Sequence, residues 1–166
     1  MVHEMTEARE ARGERLKERI YLAFVALAVV LAVGSHSESP AAALFTLIVT
    51  ALGTLLAVLV ADVISHFVIA ERGMTGAELR KALFTSFGAL TAVIVPVLAF
   101  LIALAGWWSM DTAVFVAATG LIVALVVIGY TAIRRIPLPW WQRAIALGLE
   151  AVLGLAVIGL KALAHG

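Results

Sequence analysis

The chain has 166 residues, of which 63% are hydrophobic and 14% are charged, and its mean hydropathy is +1.08. Soluble domains have about 45–50% apolar and about 25% charged residues. Because this apolar excess cannot be buried in one water-soluble core, the composition argues against a soluble enzyme, a disordered chain and a nucleic-acid-binding protein. The net charge of +1 indicates no polyanionic partner, and the absence of cysteine excludes disulfides and thiolate chemistry. We expect an all-α integral membrane protein.

Five apolar stretches are long enough, or nearly long enough, to cross a bilayer as helices. A hydrocarbon core of ~30 Å requires about 20 helical residues. The predicted spans are residues 20–34, 40–70, 82–105, 112–133 and 140–164. Together they predict a polytopic transmembrane bundle over residues 20–166, preceded by a charged helix over residues 1–19.

The charged N-terminal segment mixes glutamate with arginine and lysine at helical spacing, which predicts a cytoplasmic extension of the first span. Its charged face is expected to be solvated, or alternatively to be a docking site. The first span is short, so it also fits a signal-peptide core that ends at Ala32-Val33-Gly34. The five glutamates that precede this span are atypical of a signal peptide.

Local signals predict where two of the helices begin. Ser39 is suited to an N-cap, and Pro40 follows it at the first helical position. Thr75 with Glu78 three residues later forms a capping box, so the third helix should begin before it enters the membrane. Pro96 lies inside the third span, where it should kink the helix and free a carbonyl, although such prolines are also common in membrane helices.

The lysines and arginines are distributed unevenly among the polar segments. From the N-terminus, these segments contain five, none, three, none, three and one. The positive-inside rule therefore predicts a cytoplasmic N-terminus and an outside C-terminus. Trp107-Trp108 would lie at the outer interface and Trp140-Trp141 at the inner one. We expect a multi-pass protein of the cell inner (plasma) membrane.

Three ionisable residues lie inside predicted spans, namely Asp62 and His66 in the second and Glu150 in the fifth. At ~1.5 Å per residue, Asp62 and Glu150 share one depth, and His66 follows Asp62 by one turn on the same face. Two carboxylates in a low dielectric must share a proton, bind a cation or pair with a base. The trio predicts a proton relay or a divalent-cation or transition-metal site. The alternative is that these groups only hydrogen-bond between helices and fix their packing.

Arg143 shares a face with Glu150 in the fifth span, and we consider Arg143 and Pro96 secondary site residues.

Small residues predict which helices pack closely. Stripes of small residues predict contact between the second and third spans, with the fifth span joining on the Asp62 side and the fourth facing lipid. The stripes are Thr50, Thr54, Ala57, Ala61 and Ser65 in the second span, and Thr85, Gly88, Ala92, Pro96, Ala99 and Ala103 in the third.

Two resemblances follow from these patterns. Residues 61–66 (Ala-Asp-Val-Ile-Ser-His) and the tail over residues 154–165 resemble small five-span bacterial integral membrane proteins of unassigned function. The rhythm of the third to fifth spans is similar to the vacuolar iron transporter (VIT) family, which has five spans and intramembrane acidic residues. That family carries a glutamate-rich insert between its second and third spans, where this chain has only residues 71–81. The resemblance implies iron or manganese as cargo, with Asp62 as a pathway carboxylate.

Three functions remain open at this point. The first is a proton or cation transporter or channel, working as a homo-oligomer, in which Asp62 and Glu150 bind the ion and His66 relays it towards the cytoplasm. Pro96 would then permit movement. The second is a scaffold or accessory subunit that packs against a larger membrane partner. The third is an intramembrane enzyme, which we do not expect because the loops are too short for a substrate pocket. A divalent cation is the one cofactor that the residues suggest.

Overall fold

The computed structural model describes the backbone of residues 2–36, 39–133, 139–142, 145, 148 and 152. Side chains are described for residues 13–36, 39–132 and the same later positions. The all-α prediction is confirmed for this part of the chain, which contains helices and no strand. The elements are α1 (Val2–Ser35), α2 (Pro40–Ala70), α3 (Gly76–Ala89), a 3₁₀ turn (Leu90–Val93), α4 (Ile94–Leu104) and α5 (Met110–Ile133).

Three helical segments are long and apolar enough to cross a membrane, so the chain is a membrane protein. They are Pro40–Ala70, Gly76–Leu104 and Met110–Ala132. These segments match the second, third and fourth predicted spans. The predicted fifth span, residues 140–164, lies outside the described residues except for a few positions.

Helix α1 is the element around which the described helices pack. It is uninterrupted from Val2 to Ser35, so the charged N-terminal segment and the first apolar stretch form one helix. It contacts α2, α3, the 3₁₀ turn and α5. Its buried face repeats at helical spacing and consists of Leu22, Ala23, Ala26, Leu27, Val30 and Val33. Small residues alternate with leucine and valine along this face, so neighbouring backbones approach closely.

Helix α5 buries one side along its length and exposes large apolar side chains, such as Phe115 and Val123, on the other. That this span faces lipid stays a prediction. It packs against α1 and α4. Its buried side chains follow one another every four residues, at Ala113, Ala117, Leu121 and Leu125. Gly120 completes this face, because a Cβ at that position would clash with Cγ1 of Val95 on α4. A uniformly apolar composition hides such a face, since the pattern lies in side-chain size and not in polarity.

The buried positions of helix α2 lie in its N-terminal half, and the predicted stripe of small residues continues into its C-terminal half. Its buried residues are Ala43, Leu47, Ala51 and Leu55, whereas Ala57, Ala61 and Ser65 are exposed among the described residues. The predicted contact of α2 with the third span is confirmed, because α2 packs against both α3 and α4. The predicted stripe of the third span is confirmed at Ala92, Pro96, Ala99 and Ala103, which are all buried.

The helix boundaries agree with the local signals. The Ser39 hydroxyl accepts a hydrogen bond from the Ala42 amide at 3.2 Å, so Ser39 is the N-cap of α2. Thr75 and Glu78 form the predicted capping box at the start of α3. Helix α2 ends at Glu71, whose φ of 52° lies in the left-handed region and turns the chain away from the helix.

Pro96 interrupts the third span as predicted. The chain changes from α-helix to a 3₁₀ turn over Leu90–Val93 and resumes α geometry at Ile94. Proline has no amide hydrogen, and its ring crowds the carbonyl four residues earlier, which belongs to Ala92. The Pro96 ring is itself fully buried, so this irregular turn is fixed within the packed core.

Candidate functional site

The predicted site residues fall into two groups. Asp62 and His66 lie on the last third of α2, and both are partly buried. Glu150 and Arg143 lie outside the described residues, so the predicted pairing of Asp62 with Glu150 stays a prediction. Asp62 and His66 lie towards the end of the bundle that carries Arg15, Arg72, Arg80 and Lys81, which we call the basic end.

A buried carboxylate on α1 is the most unusual feature of this region. The side chain of Glu18 is only 5% exposed. Its Oε1 accepts a hydrogen bond from Oγ of Ser86 on α3 at 3.5 Å, which is long for a hydroxyl donor. Its Oε2 is buried and has no hydrogen-bond partner among the described residues. A carboxylate in this position is costly when ionised, so it favours a proton or a bound cation.

Glu18 and Asp62 belong to the same electrostatic cluster. Burial, followed by the charge of Asp62 on α2, raises the pKa of the Glu18 carboxyl above its usual range. On α1, Glu14 lies one turn before Glu18, and Lys17 lies directly before it. Glu14 and Lys17 are exposed and form an ion pair of 3.6 Å with each other. The structure therefore brings to Asp62 an acidic partner from α1, independently of the one predicted from the fifth span.

The burial of Glu18 has a simple origin in the sequence. Glu18 precedes Leu22 by four residues, Ala26 by eight and Val30 by twelve, so it continues the buried face of α1 by one turn. The charged composition of residues 1–19 predicts a solvated segment, and the buried Glu18 is an exception to it. The spacing from Leu22 is the signal that identifies it.

His66 is directed to a different partner from the one predicted. Its Nε2 lies 3.7 Å from Oε2 of Glu78 and has no hydrogen-bond partner among the described residues. The side chain is 20% exposed. Glu78 lies in the first turn of α3, so His66 connects the end of one span with the start of the next.

Glu78 is the centre of the turn between α2 and α3. The Arg72 guanidinium donates to it in a bidentate pair, at 2.7 Å and 3.1 Å. The Thr75 amide and hydroxyl donate to Oε2 at 2.7 Å and 2.8 Å. Arg72, followed by these two Thr75 hydrogen bonds, holds the pKa of Glu78 far below its ordinary value. Glu78 is therefore a permanently charged anchor, and it is not a carboxyl that exchanges protons near neutral pH.

The described residues limit what the site could bind. No three histidine, aspartate or glutamate side chains among them are close enough to hold a metal ion. The predicted metal set of Asp62, His66 and Glu150 includes a residue outside the described part of the chain and stays a prediction. Glu18 and Asp62 supply carboxylate oxygens only, which suit a proton or a hard cation.

Comparisons with known protein families, with curated proteins and with solved structures find no match for this chain. The resemblances described above, including that to the VIT family, stay predictions.

Proposed function

We propose that this chain is a small polytopic membrane protein that moves protons or a cation through a carboxylate site formed by Glu18 and Asp62. Glu150 is proposed as a third acidic group, at the depth of Asp62. The cargo binds where α1, α2 and α3 meet. Buried carboxylates in a membrane protein are costly, and they are typical of ion and proton pathways.

The observation that carries this proposal is the unsatisfied oxygen of Glu18. A residue that served packing alone would gain stability from pairing both carboxylate oxygens or from being apolar. Oε2 of Glu18 has no partner among the described residues, and Asp62 repels the charge. A shared proton or a bound cation relieves both costs at once.

His66 supplies the proposed step between this site and the basic end. It follows Asp62 by four residues on α2, and its Nε2 lies 3.7 Å from the Glu78 carboxylate. Glu78 is held in place by Arg72 and Thr75, so its carboxylate is a fixed neighbour of the His66 ring. We infer that His66 relays protons between the Asp62 level and the water at the basic end.

The proposed topology has five spans, with the basic end in the cytoplasm. The Lys and Arg side chains of the basic end come from α1, from the turn before α3 and from α3 itself, which supports one common membrane face for them. Trp107 and Trp108 lie between α4 and α5, where Trp107 is 82% exposed, and this position suits the opposite interface. We propose the plasma membrane as the location and a homo-oligomer as the working form.

The test is flux of protons and divalent cations into proteoliposomes. Wild-type protein is compared with Asp62→Asn and Glu150→Gln, and empty liposomes give the background. We expect wild-type flux above background and a loss of at least tenfold in Asp62→Asn, because the amide cannot exchange a proton or neutralise a cation. Equal flux in wild type and both variants contradicts the proposed function.

A scaffold role is the second candidate. The observation that favours it is the row of small residues on α2 at Ala57, Ala61 and Ser65, which is exposed among the described residues. Small residues on a membrane helix allow close approach of another helix. Under this alternative the reconstituted protein has no flux. Ala61→Leu would then disrupt the assembly measured by light scattering in detergent, and Ile64→Leu, an equally exposed control, would not.

A further inference from the structure

A shallow cleft opens between α1 and α3 at the basic end. Its volume is about 600 Å³, and its lining consists of Arg15, Ala77, Arg80, Lys81, Phe84 and Thr85. Three of these six residues are cations, and they come from two different helices. None of the three forms an ion pair with a residue whose side chain the structure describes. The cleft is therefore a concave, strongly cationic surface that suits an anionic ligand.

The cleft also has an apolar side. Phe84 follows Arg80 by one turn of α3, and its ring is 82% exposed. The apolar part of the third span begins at residue 82, immediately after Lys81. Arg15 precedes the apolar stretch of α1 by five residues, or about 7–8 Å along the helix. The cations therefore lie at the membrane boundary, and the aromatic ring lies on its apolar side.

We propose that this cleft binds the phosphate headgroup of an anionic phospholipid. Arg15, Arg80 and Lys81 surround the phosphate, and Phe84 contacts the first carbons of an acyl chain. Basic pockets between membrane helices at the cytoplasmic face are suited to such headgroups. Free inorganic phosphate would use the cations alone and would leave Phe84 without a role. This inference goes beyond the proposed transport function and does not depend on it.

The experiment measures lipid bound to the purified full-length protein by native mass spectrometry. The protein is titrated with phosphatidylglycerol, with phosphatidylcholine and with inorganic phosphate. Arg80→Gln/Lys81→Gln removes two of the cations, and we expect it to weaken phosphatidylglycerol binding about 10- to 30-fold. Arg15→Gln should weaken it about fivefold. The charge-retaining variant Arg80→Lys/Lys81→Arg should bind within about threefold of wild type.

Two controls separate this site from general charge effects. Lys17→Gln removes the same charge as Arg15→Gln from the opposite side of α1, and it should bind like wild type. Phe84→Ala should weaken lipid binding and leave the binding of inorganic phosphate unchanged. Equal binding of phosphatidylglycerol by wild type and Arg80→Gln/Lys81→Gln would overturn the proposal. Equal affinity for phosphatidylglycerol and phosphatidylcholine would also overturn it, and so would inorganic phosphate binding as tightly as phosphatidylglycerol. These results are independent of whether the protein transports ions.

Discussion

Oγ of Ser86 on α3 lies 3.5 Å from Oε1 of Glu18 on α1, and both side chains are withdrawn from solvent. A hydroxyl donor at this distance makes a weak hydrogen bond. Oε2 of Glu18 has none among the described residues. Two helices are thus joined through a carboxyl group that is buried but loosely held, so it can exchange a proton or a cation without breaking a strong network.

Neutralising Glu18 should not destabilise the fold. Glu18→Gln keeps the shape of the side chain and removes the cost of a buried charge, so we expect a free energy of unfolding unchanged or raised by about 1 kcal/mol. Thermal unfolding of the purified protein in detergent measures this change. Glu14→Gln, an exposed position one turn away, should stay within about 0.5 kcal/mol of wild type. A loss of more than about 2 kcal/mol in Glu18→Gln would mean that the charge is needed for packing.

Gly120 should tolerate no side chain. A Cβ there would meet Val95, with Cγ1 in direct clash and Cβ at 3.3 Å, so Gly120→Ala should lower the free energy of unfolding by about 1–3 kcal/mol. Gly53→Ala is the matched control, because nothing lies within 4 Å of its Cβ and alanine favours a helix by up to ~1 kcal/mol. Adding Val95→Ala to Gly120→Ala should restore part of the loss. Equal stability of the two single variants would contradict the close packing of α4 on α5.

The turn between α2 and α3 should weaken in acid. Because the folded-state pKa of Glu78 lies below its ordinary value of 4.5, its stabilisation is complete above that pH and is lost as the pH falls further. Thermal unfolding in detergent should therefore show a decline below pH 4.5 in wild type. Glu78→Gln should be less stable than wild type at neutral pH, and its stability should fall less than that of wild type below pH 4.5. Parallel pH profiles for the two proteins would be inconsistent with an Arg72–Glu78 anchor.

The two ends of the bundle should face opposite sides of the membrane. The chain has no cysteine, so a single introduced thiol reports its own position. In intact cells, Trp107→Cys should react with a membrane-impermeant maleimide, and Gly73→Cys should react only after the cells are opened. Both positions are exposed, so access to the thiol is decided by the membrane. Labelling of Gly73→Cys in intact cells would reverse the proposed orientation.

Local features could be predicted from the sequence because they depend on neighbouring residues. The Ser39 cap, the capping box of Thr75 with Glu78 and the break before Pro96 each require only three or four consecutive positions. The lengths of the second to fourth spans follow from apolar composition. These signals act before any tertiary contact forms, so other helices do not alter them.

Features that depend on packing could not be predicted in the same way. On α2, Ala43 is buried and Ala61 is exposed although about five full turns separate them and both point the same way, because burial depends on where the other helices lie. Glu18 is buried because α3 covers it through Ser86, a contact between residues 68 positions apart. A charged segment can be solvated on one face and buried on the other. Composition averages over both faces and therefore conceals a single buried carboxylate.

The most direct measurement is the flux ratio between Glu18→Gln and Glu14→Gln in proteoliposomes, each relative to wild type. The substitutions are chemically identical and lie one turn apart on α1, but only Glu18 is buried beside Ser86. If Glu18 carries the proton or cation, its variant loses at least tenfold in flux and Glu14→Gln keeps most of it. Equal flux in the two variants would contradict a transport site at Glu18.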